Sequence, residues 1–154
     1  MDERIKTYWQ TFQKTLPAGS PYRDRPFTDE RWGDGPELAT ELGDLIAAGI
    51  KTATCSSVWE WQAEGQNWTQ PGEMTVVLNG RDEPLCIIET TEITIRRYDE
   101  VDASFAFEEG EGDRSLAYWR AAHLAFFSRS LQKINRQFAE DMPLVCERFK
   151  LIYP

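Results

Sequence analysis

Ile5, Tyr8, Trp9, Phe12 and Leu16 recur at the three- and four-residue spacing of one helical face, with polar residues between them. A helix over 2–16 follows, with Asp2 suited to cap its first amides. The next stretch, 17–36, has no period. It carries Pro17, Pro21, Pro26 and Pro36 with Gly19, Gly33 and Gly35, and the aromatics Tyr22, Phe27 and Trp32. An irregular segment of this length is either a lid over a site or a strap whose rings fill satellite core. Pattern returns at Asp34-Gly35-Pro36, a helix start with proline suited to its first turn. Leu38, Leu42, Leu45 and Ile46 form the buried stripe, and Gly49 is placed to end the helix.

After Gly49 the chain turns to strand character. Thr52–Val58 reads as a strand entering the core. Residues 59–72, with Trp59, Trp61 and Trp68 among polar neighbours, read as a mobile stretch. Met74–Leu78 and Leu85–Ile88, joined around Asn79-Gly80, predict a hairpin with a slightly long loop. Strand character continues from Thr90 to Arg97. Ser115–Ile134 is a helix with Leu116, Trp119, His123, Phe127 and Leu131 along one side, and Pro143–Ile152 is a closing strand. This order predicts one α+β domain over 1–154, a small antiparallel sheet or barrel with three main helices. The helix 2–16 and the loop 17–36 are expected to pack onto it.

Composition narrows the partners. Hydrophobic residues make up 41% and charged residues 28%, an ordinary globular balance. No apolar run approaches the ~20 residues of a membrane span. Met1-Asp2-Glu3-Arg4 leads into no apolar signal core, so a cytoplasmic protein without a membrane partner is expected. Cys55, Cys86 and Cys146 are scattered and His123 is the one histidine, which suits buried thiols better than a disulfide framework or a metal site. The net charge of −9 disfavours a polyanion such as RNA without excluding it, and favours a small neutral substrate.

Candidate chemistry centres on Lys51 and Thr54. Threonine attacks only when something removes its proton, and lysine can do that only when neutral, which needs burial or a nearby cation. The alternative is structural: a cation just after a helix end is favoured by the helix dipole. Residues three apart in a strand face opposite ways, so the pair can meet only if Lys51 precedes the strand or a bulge intervenes. Cys55 is expected to face the core. Glu108-Glu109-Gly110-Glu111-Gly112-Asp113 reads as an acidic turn in which Asp113 caps the following helix and Glu109 can be aimed into a pocket. His123 is either a satisfied core histidine or a site residue. Arg129, Lys133 and Arg136, with Arg96 and Arg97, make a basic edge that is either a solvated face or a phosphate track.

Ala48-Gly49-Ile50-Lys51-Thr52-Ala53-Thr54, Cys86-Ile87-Ile88-Glu89-Thr90-Thr91-Glu92, and Phe105 through Asp113 followed by Tyr118-Trp119-Arg120 and His123 resemble the ASCH-domain family in its longer bacterial single-domain form. The resemblance covers about Gly33 to Tyr153. It implies a PUA-like, mostly antiparallel small β-barrel with flanking helices. It also implies an amidohydrolase that removes an acyl group from the exocyclic amine of an N4-acetylcytidine-like nucleoside. Lys51 falls on its base, Thr54 on its nucleophile and Glu109, or Glu108 one position away, on its carboxylate. Candidate substrate contacts are Ser57, Trp59, Phe105, Glu111 and His123, with Trp61 a further stacking candidate, and no metal or organic cofactor is implied. The family pattern has an arginine shortly after the threonine, where this chain has Ser56 and Ser57. The alternative within the family is an RNA-binding module or single-strand ribonuclease that uses Lys51 and the basic edge, with Lys51, His123 or Tyr98 as base.

Overall fold

The computed structural model describes residues 1–153. In chain order it contains α1 (Glu3–Thr15), β1 (Phe27–Glu30), α2 (Pro36–Ala47), β2 (Ala53–Ser57) and α3 (Val58–Glu64), then β3 (Met74–Leu78), β4 (Pro84–Arg97), α4 (Ala103–Glu109), α5 (Leu116–Ser130) and β5 (Pro143–Tyr153). The hairpin β3–β4 forms as its sequence predicts, with the Asn79 side chain accepting from the amides of Arg81 (2.8 Å) and Glu83 (3.0 Å) to hold the loop. β4 then runs on antiparallel to β5, with register shifts at Ile87/Ile88 and Thr90/Glu92. Such bulges bend a strand this long.

The sheet order is β1-β3-β4-β5-β2. β1 and β2 are therefore opposite edges, and no strand pairing joins them. The expected barrel is not closed: the fold is α+β, with an open five-stranded sheet and flanking helices. β1 also corrects the irregular reading of 17–36. Its four residues pair in parallel with β3, the one parallel partnership in the sheet. Too short to show a period, β1 owes its order to that pairing.

Two further elements differ from expectation. Residues 58–64, read as part of a mobile stretch, form α3 and end on Gly65 in the left-handed conformation. The acidic turn is half helix: α4 runs through Phe105 to Glu109, and Gly110, with φ +72°, ends it. Asp113 does not cap α5. Ser115 does, its Oγ accepting from Tyr118 N at 3.0 Å, while Asp113 Oδ1 accepts from Ser115 N at 2.9 Å. The α5 helix tightens into a 3-10 turn over Leu131–Ile134.

Apolar layers cover both faces of the sheet. On one face, Ile5, Trp9 and Phe12 of α1 pack on Met74, Val76, Leu78 and Ile87, and Trp9 stacks on Phe27 at 4.2 Å. Further along the same face, Phe105, Trp119 and Phe127 of α4 and α5 cover Ala53, Leu144 and Cys146, and on the other face Ile46 of α2 packs on Val77, Cys86, Ile88 and Phe149. Among the described residues, no helix is long and apolar enough to cross a membrane.

Candidate active site

Lys51 is delivered by the end of α2. Gly49, at φ +74°, is the left-handed residue expected there, and the amides of both Ile50 and Lys51 turn back onto the Leu45 carbonyl at 3.0 and 3.1 Å. Lys51 thus lies in the turn before β2. Facing it is the end of α4, tied to the chain by Thr52 N donating to the Glu108 carbonyl at 2.8 Å. Gly110 permits that contact, since a Cβ there would lie 2.7 Å from the Ile50 carbonyl oxygen.

The result is a buried charge cluster. Lys51 is 1% exposed, and its Nζ donates to Glu109 Oε1 (3.0 Å), Glu111 Oε2 (2.9 Å) and the Glu109 carbonyl (3.3 Å). Glu109, also 1% exposed, accepts on Oε2 from Trp119 Nε1, and His123 Nε2 lies 3.4 Å from the same oxygen. His123 Nδ1 is 2.8 Å from the Trp119 carbonyl oxygen, so that nitrogen carries a proton, and its ring stacks on Trp119 at 4.2 Å. The Glu108/Glu109 ambiguity has a geometric answer: Glu108 turns outward to Arg148 Nε at 2.7 Å, and Glu109 is the carboxylate beside Lys51.

The electrostatics differ from the neutral lysine expected. Burial alone would push the Lys51 ammonium down, but Glu109 and Glu111 outweigh it and raise Lys51 above its ordinary value. Burial would likewise push Glu109 up, and Lys51 and His123 overcome it and hold the carboxyl well below the carboxylate range. Burial lowers His123 and Glu109 more than restores it, so the imidazole is shifted towards its protonated form. The cluster is ionic at neutral pH.

This cluster forms part of the wall of a cavity of about 610 Å³. The cavity is walled by both sheet edges, with Glu30 at the end of β1 and the following Arg31–Gly33 on one side and Thr54–Ser57 of β2 on another. The segment 17–36 is thus both things considered: Tyr22 and Phe27 pack on the N-terminal core, and its far end walls the cavity. Thr54 reaches the same cavity, but no hydrogen bond joins it to Lys51. Alternation along β2 places Ala53, Cys55 and Ser57 towards α4 and α5, and Thr54 and Ser56 on the opposite face. Lys51 follows the first set, so the cavity wraps the free edge of β2 and touches both faces.

Ser57, Glu111 and His123 line the cavity as expected of candidate contacts, and Ser57 Oγ is fully buried without a hydrogen-bond partner. Trp59 and Phe105 do not line it. Phe105 is 0% exposed inside the α4–α5 core, and Trp59 packs against that core with the Arg136 guanidinium 4.5 Å above its ring. The aromatic wall is Trp32, Trp61, Tyr118 and Phe126. Trp61 Nε1 donates to Ser56 Oγ at 2.8 Å. Tyr98 is also absent from the wall, its hydroxyl donating to the Arg120 carbonyl at 2.6 Å. The basic edge is largely neutralised, with Arg129 on Asp34 (2.9 Å), Arg96 on Asp102 (3.6 Å) and Arg97 on Asp99 (2.9 Å).

Three members were missed. Trp119 read as stripe, Glu147 passed unremarked within the closing strand, and Cys55 read as core, although it lines the cavity as well as touching the core. Cys55, Glu109 and His123 offer a sulfur, an oxygen and a nitrogen within 4.8 Å of one another, the one metal-ligand grouping among the described residues. The Glu109 oxygens in that grouping are already engaged by the Lys51 ammonium and the Trp119 N–H. Burial, with Glu109 adding to it, pushes the Cys55 thiol far up.

The family model for the ASCH domain matches residues 30–153. Two solved structures are similar over nearly the full chain. The ASCH domain from Lactobacillus crispatus JV V101 is 35% identical, with a TM-score of 0.93 covering 100% of this chain and 97% of that one. A protein from Enterococcus faecalis V583 is 33% identical, with a TM-score of 0.86 covering 99% and 90%. No curated protein matches the chain.

Proposed function

The chain belongs to the ASCH domain family, a PUA-like fold family, and on that premise we propose that it hydrolyses the amide of an N4-acylated cytosine nucleoside. The observation that carries this reading is the buried Lys51–Glu109 ion pair set on the wall of the same cavity as Thr54. An ion pair with both partners 1% exposed is costly to desolvate, and charges perturbed in this way cluster at functional sites.

Thr54 Oγ1 attacks the acyl carbonyl. The Lys51 ammonium, which the flanking carboxylates keep protonated, presents fixed positive charge to the developing oxyanion. Glu109 and Glu111 hold the ammonium in place, and Trp119 and His123 hold Glu109. Lys51 therefore acts as an electrostatic anchor in this scheme, in place of the base that the family resemblance implies.

Cavity size and chemistry support a nucleoside. A volume of about 610 Å³ lies in the usual range for small-molecule sites. Trp61 and Phe126 offer apolar faces to a base, and Ser57 Oγ offers an unused donor and acceptor to its polar edge. Glu30, Glu60, Glu64 and Glu147 on the wall make it hostile to a phosphodiester. That acidity, and the ion-paired state of the basic edge, leave the RNA-binding or ribonuclease reading with less support.

Incubation with N4-acetylcytidine and chromatography of the released cytidine tests the proposal, with Lys51→Ala and Thr54→Ala as controls. Cytidine release that both substitutions abolish is expected. No release by the wild type across several N4-acyl groups removes the reading, and salt-sensitive RNA binding lost on neutralising Arg129 and Lys133 replaces it with the second.

A further inference from the structure

Four carboxyl groups on the cavity wall, Glu30, Glu60, Glu64 and Glu147, stand outside the Lys51 cluster, and one of them faces Thr54. Glu147 lies directly opposite Thr54 in the β2–β5 pairing. Opposite residues project from the same face with Cβ atoms roughly 4.5–5.5 Å apart, and both of these line the cavity. We infer that Glu147 takes the proton from the Thr54 hydroxyl in the hydrolysis proposed above. The inference rests on that reading for its substrate and on the strand register for its geometry.

The candidate bases of the Lys51 cluster are committed. Lys51 is an ammonium whose donors go to Glu109 and Glu111. Glu109 has Lys51 on one oxygen and Trp119 with His123 on the other. His123 is protonated on Nδ1 towards the Trp119 carbonyl, and its Nε2 faces Glu109. Glu30 and Glu60 each accept on one oxygen, from Trp32 Nε1 (2.6 Å) and Ser130 Oγ (3.4 Å), and Glu64 lies at the end of α3, outside the β2–β5 pairing. Glu147 is held by one oxygen in the same way, but it is the acid that stands opposite Thr54. Its Oε1 accepts from Thr90 Oγ1 at 2.6 Å, which fixes the carboxyl, while Oε2 has no partner among the described residues. The Thr54 hydroxyl also makes no hydrogen bond among the described residues, so it is free to turn to Glu147 directly or through one water.

The surroundings tune the group. Burial pushes the Glu147 carboxyl up to about 7; Glu30 at the end of β1 and Glu73 ahead of β3 push the same way, and Thr90 and Lys51 pull down. A base whose affinity lies near the working pH is matched to proton transfer.

The steps balance. As Thr54 Oγ1 bonds to the acyl carbon, its proton passes to Glu147 and the carbonyl electron pair moves onto oxygen. The oxyanion then collapses, the C–N bond breaks, and the amine leaves with the proton that Glu147 took from Thr54. A water molecule next attacks the Thr54 ester and gives one proton to Glu147. The ester C–O bond breaks, Thr54 regains its proton, and the carboxylic acid departs.

The test uses p-nitrophenyl acetate, which needs no nucleoside recognition, and follows Thr54-dependent p-nitrophenolate release as the difference from Thr54→Val. The wild-type rate is expected to rise with pH through an inflection near 7. Glu147→Gln, whose amide oxygen still accepts from Thr90, should lower the rate by about 10²-fold or more and lose the inflection, with its circular dichroism unchanged. Glu147→Asp should recover part of the rate with a displaced inflection; it carries the test if the glutamine variant does not fold, and an undisplaced inflection then overturns the inference. Wild-type rates in Glu147→Gln, or no Thr54-dependent release in the wild type, also overturn it. N4-acetylcytidine turnover is followed in parallel. No turnover beside Glu147-dependent release removes the nucleoside reading and leaves the proton acceptor standing, whereas turnover that Glu147→Gln leaves intact does the reverse.

Discussion

The two faces of β2 border one cavity and are built in opposite ways. Towards α4 and α5, Lys51, Glu109, Glu111, Trp119 and His123 form a closed network in which the ammonium has three acceptors and Glu109 receives on both oxygens. On the other face, Thr54 makes no side-chain hydrogen bond among the described residues, and its neighbour across the strand, Glu147, has one. A saturated network resists change of charge or position, because every altered atom strands a buried partner. A sparsely bonded hydroxyl and carboxyl can exchange protons at little cost. The difference assigns fixed electrostatics to one face and moving protons to the other.

The strongest way to break that contrast is to delete the lysine. Lys51→Met leaves Glu109 buried without its counter-charge, and the loss of one partner of such a pair costs about 3–5 kcal/mol. Urea unfolding should show that loss, whereas Thr54→Val should stay within about 0.5 kcal/mol of the wild type as a near-isosteric change at a partly exposed site. Equal stability of Lys51→Met and the wild type would mean that the network is not what holds the ends of α2 and α4 together.

Gly110 tests the same joint through the backbone. Alanine there must adopt φ near +72° and place its Cβ 2.7 Å from the Ile50 carbonyl oxygen. A left-handed non-glycine residue costs about 1–3 kcal/mol, and the crowding adds to it. Gly110→Ala should therefore lower the urea midpoint and reduce turnover, because the shift moves Glu109 away from Lys51. Unchanged turnover in a destabilised variant would show that the ion pair survives the displacement.

The pH dependence separates the faces by sign. Glu147 is raised from 4.5 to about 7 in the fold, so the folded state holds a proton there that the unfolded state has released. Its contribution is fully present below pH 4.5 and is lost as the pH rises through 7. Glu109 runs the other way: its carboxyl is depressed, so its contribution is present above its ordinary 4.5 and falls away in acid. Melting temperatures of the wild type and Glu147→Gln between pH 4.5 and 8 should thus diverge, the variant gaining relative stability as pH rises. Parallel curves would place Glu147 in water.

How much of this was readable depends on the reach of each signal. The helix over Pro36–Ala47, the capping role of Gly49 and the position of Lys51 before the strand follow from local spacing, and all are present. The hairpin and its loop residues were readable for the same reason. The α4 helix was not, because seven residues that end in two nearby glycines look like a turn until Asp102 is seen to cap Phe105 N. β1 has no pattern of its own, and its order comes from a strand 47 positions away in register. Phe105 and Trp59 were assigned to the substrate because they flank chemistry in sequence, but each turns its ring to the core. Glu147 could be paired with Thr54 only once the β2–β5 register was known.

The smallest expected effect falls on the one loose end of the saturated face. Ser57 Oγ is buried, lines the cavity and makes no hydrogen bond among the described residues. A buried hydroxyl without a partner costs about 1–3 kcal/mol relative to a satisfied one, so Ser57→Ala should leave stability unchanged or raise it slightly. If the hydroxyl meets the polar edge of the nucleoside base, the same substitution removes about 1 kcal/mol of binding, which raises KM about fivefold with kcat unchanged. Thermal melting and steady-state kinetics on N4-acetylcytidine then move in opposite directions. A fall in melting temperature with KM unchanged would make Ser57 a structural residue of the α5 interface, and the closed character of that face would have no exception.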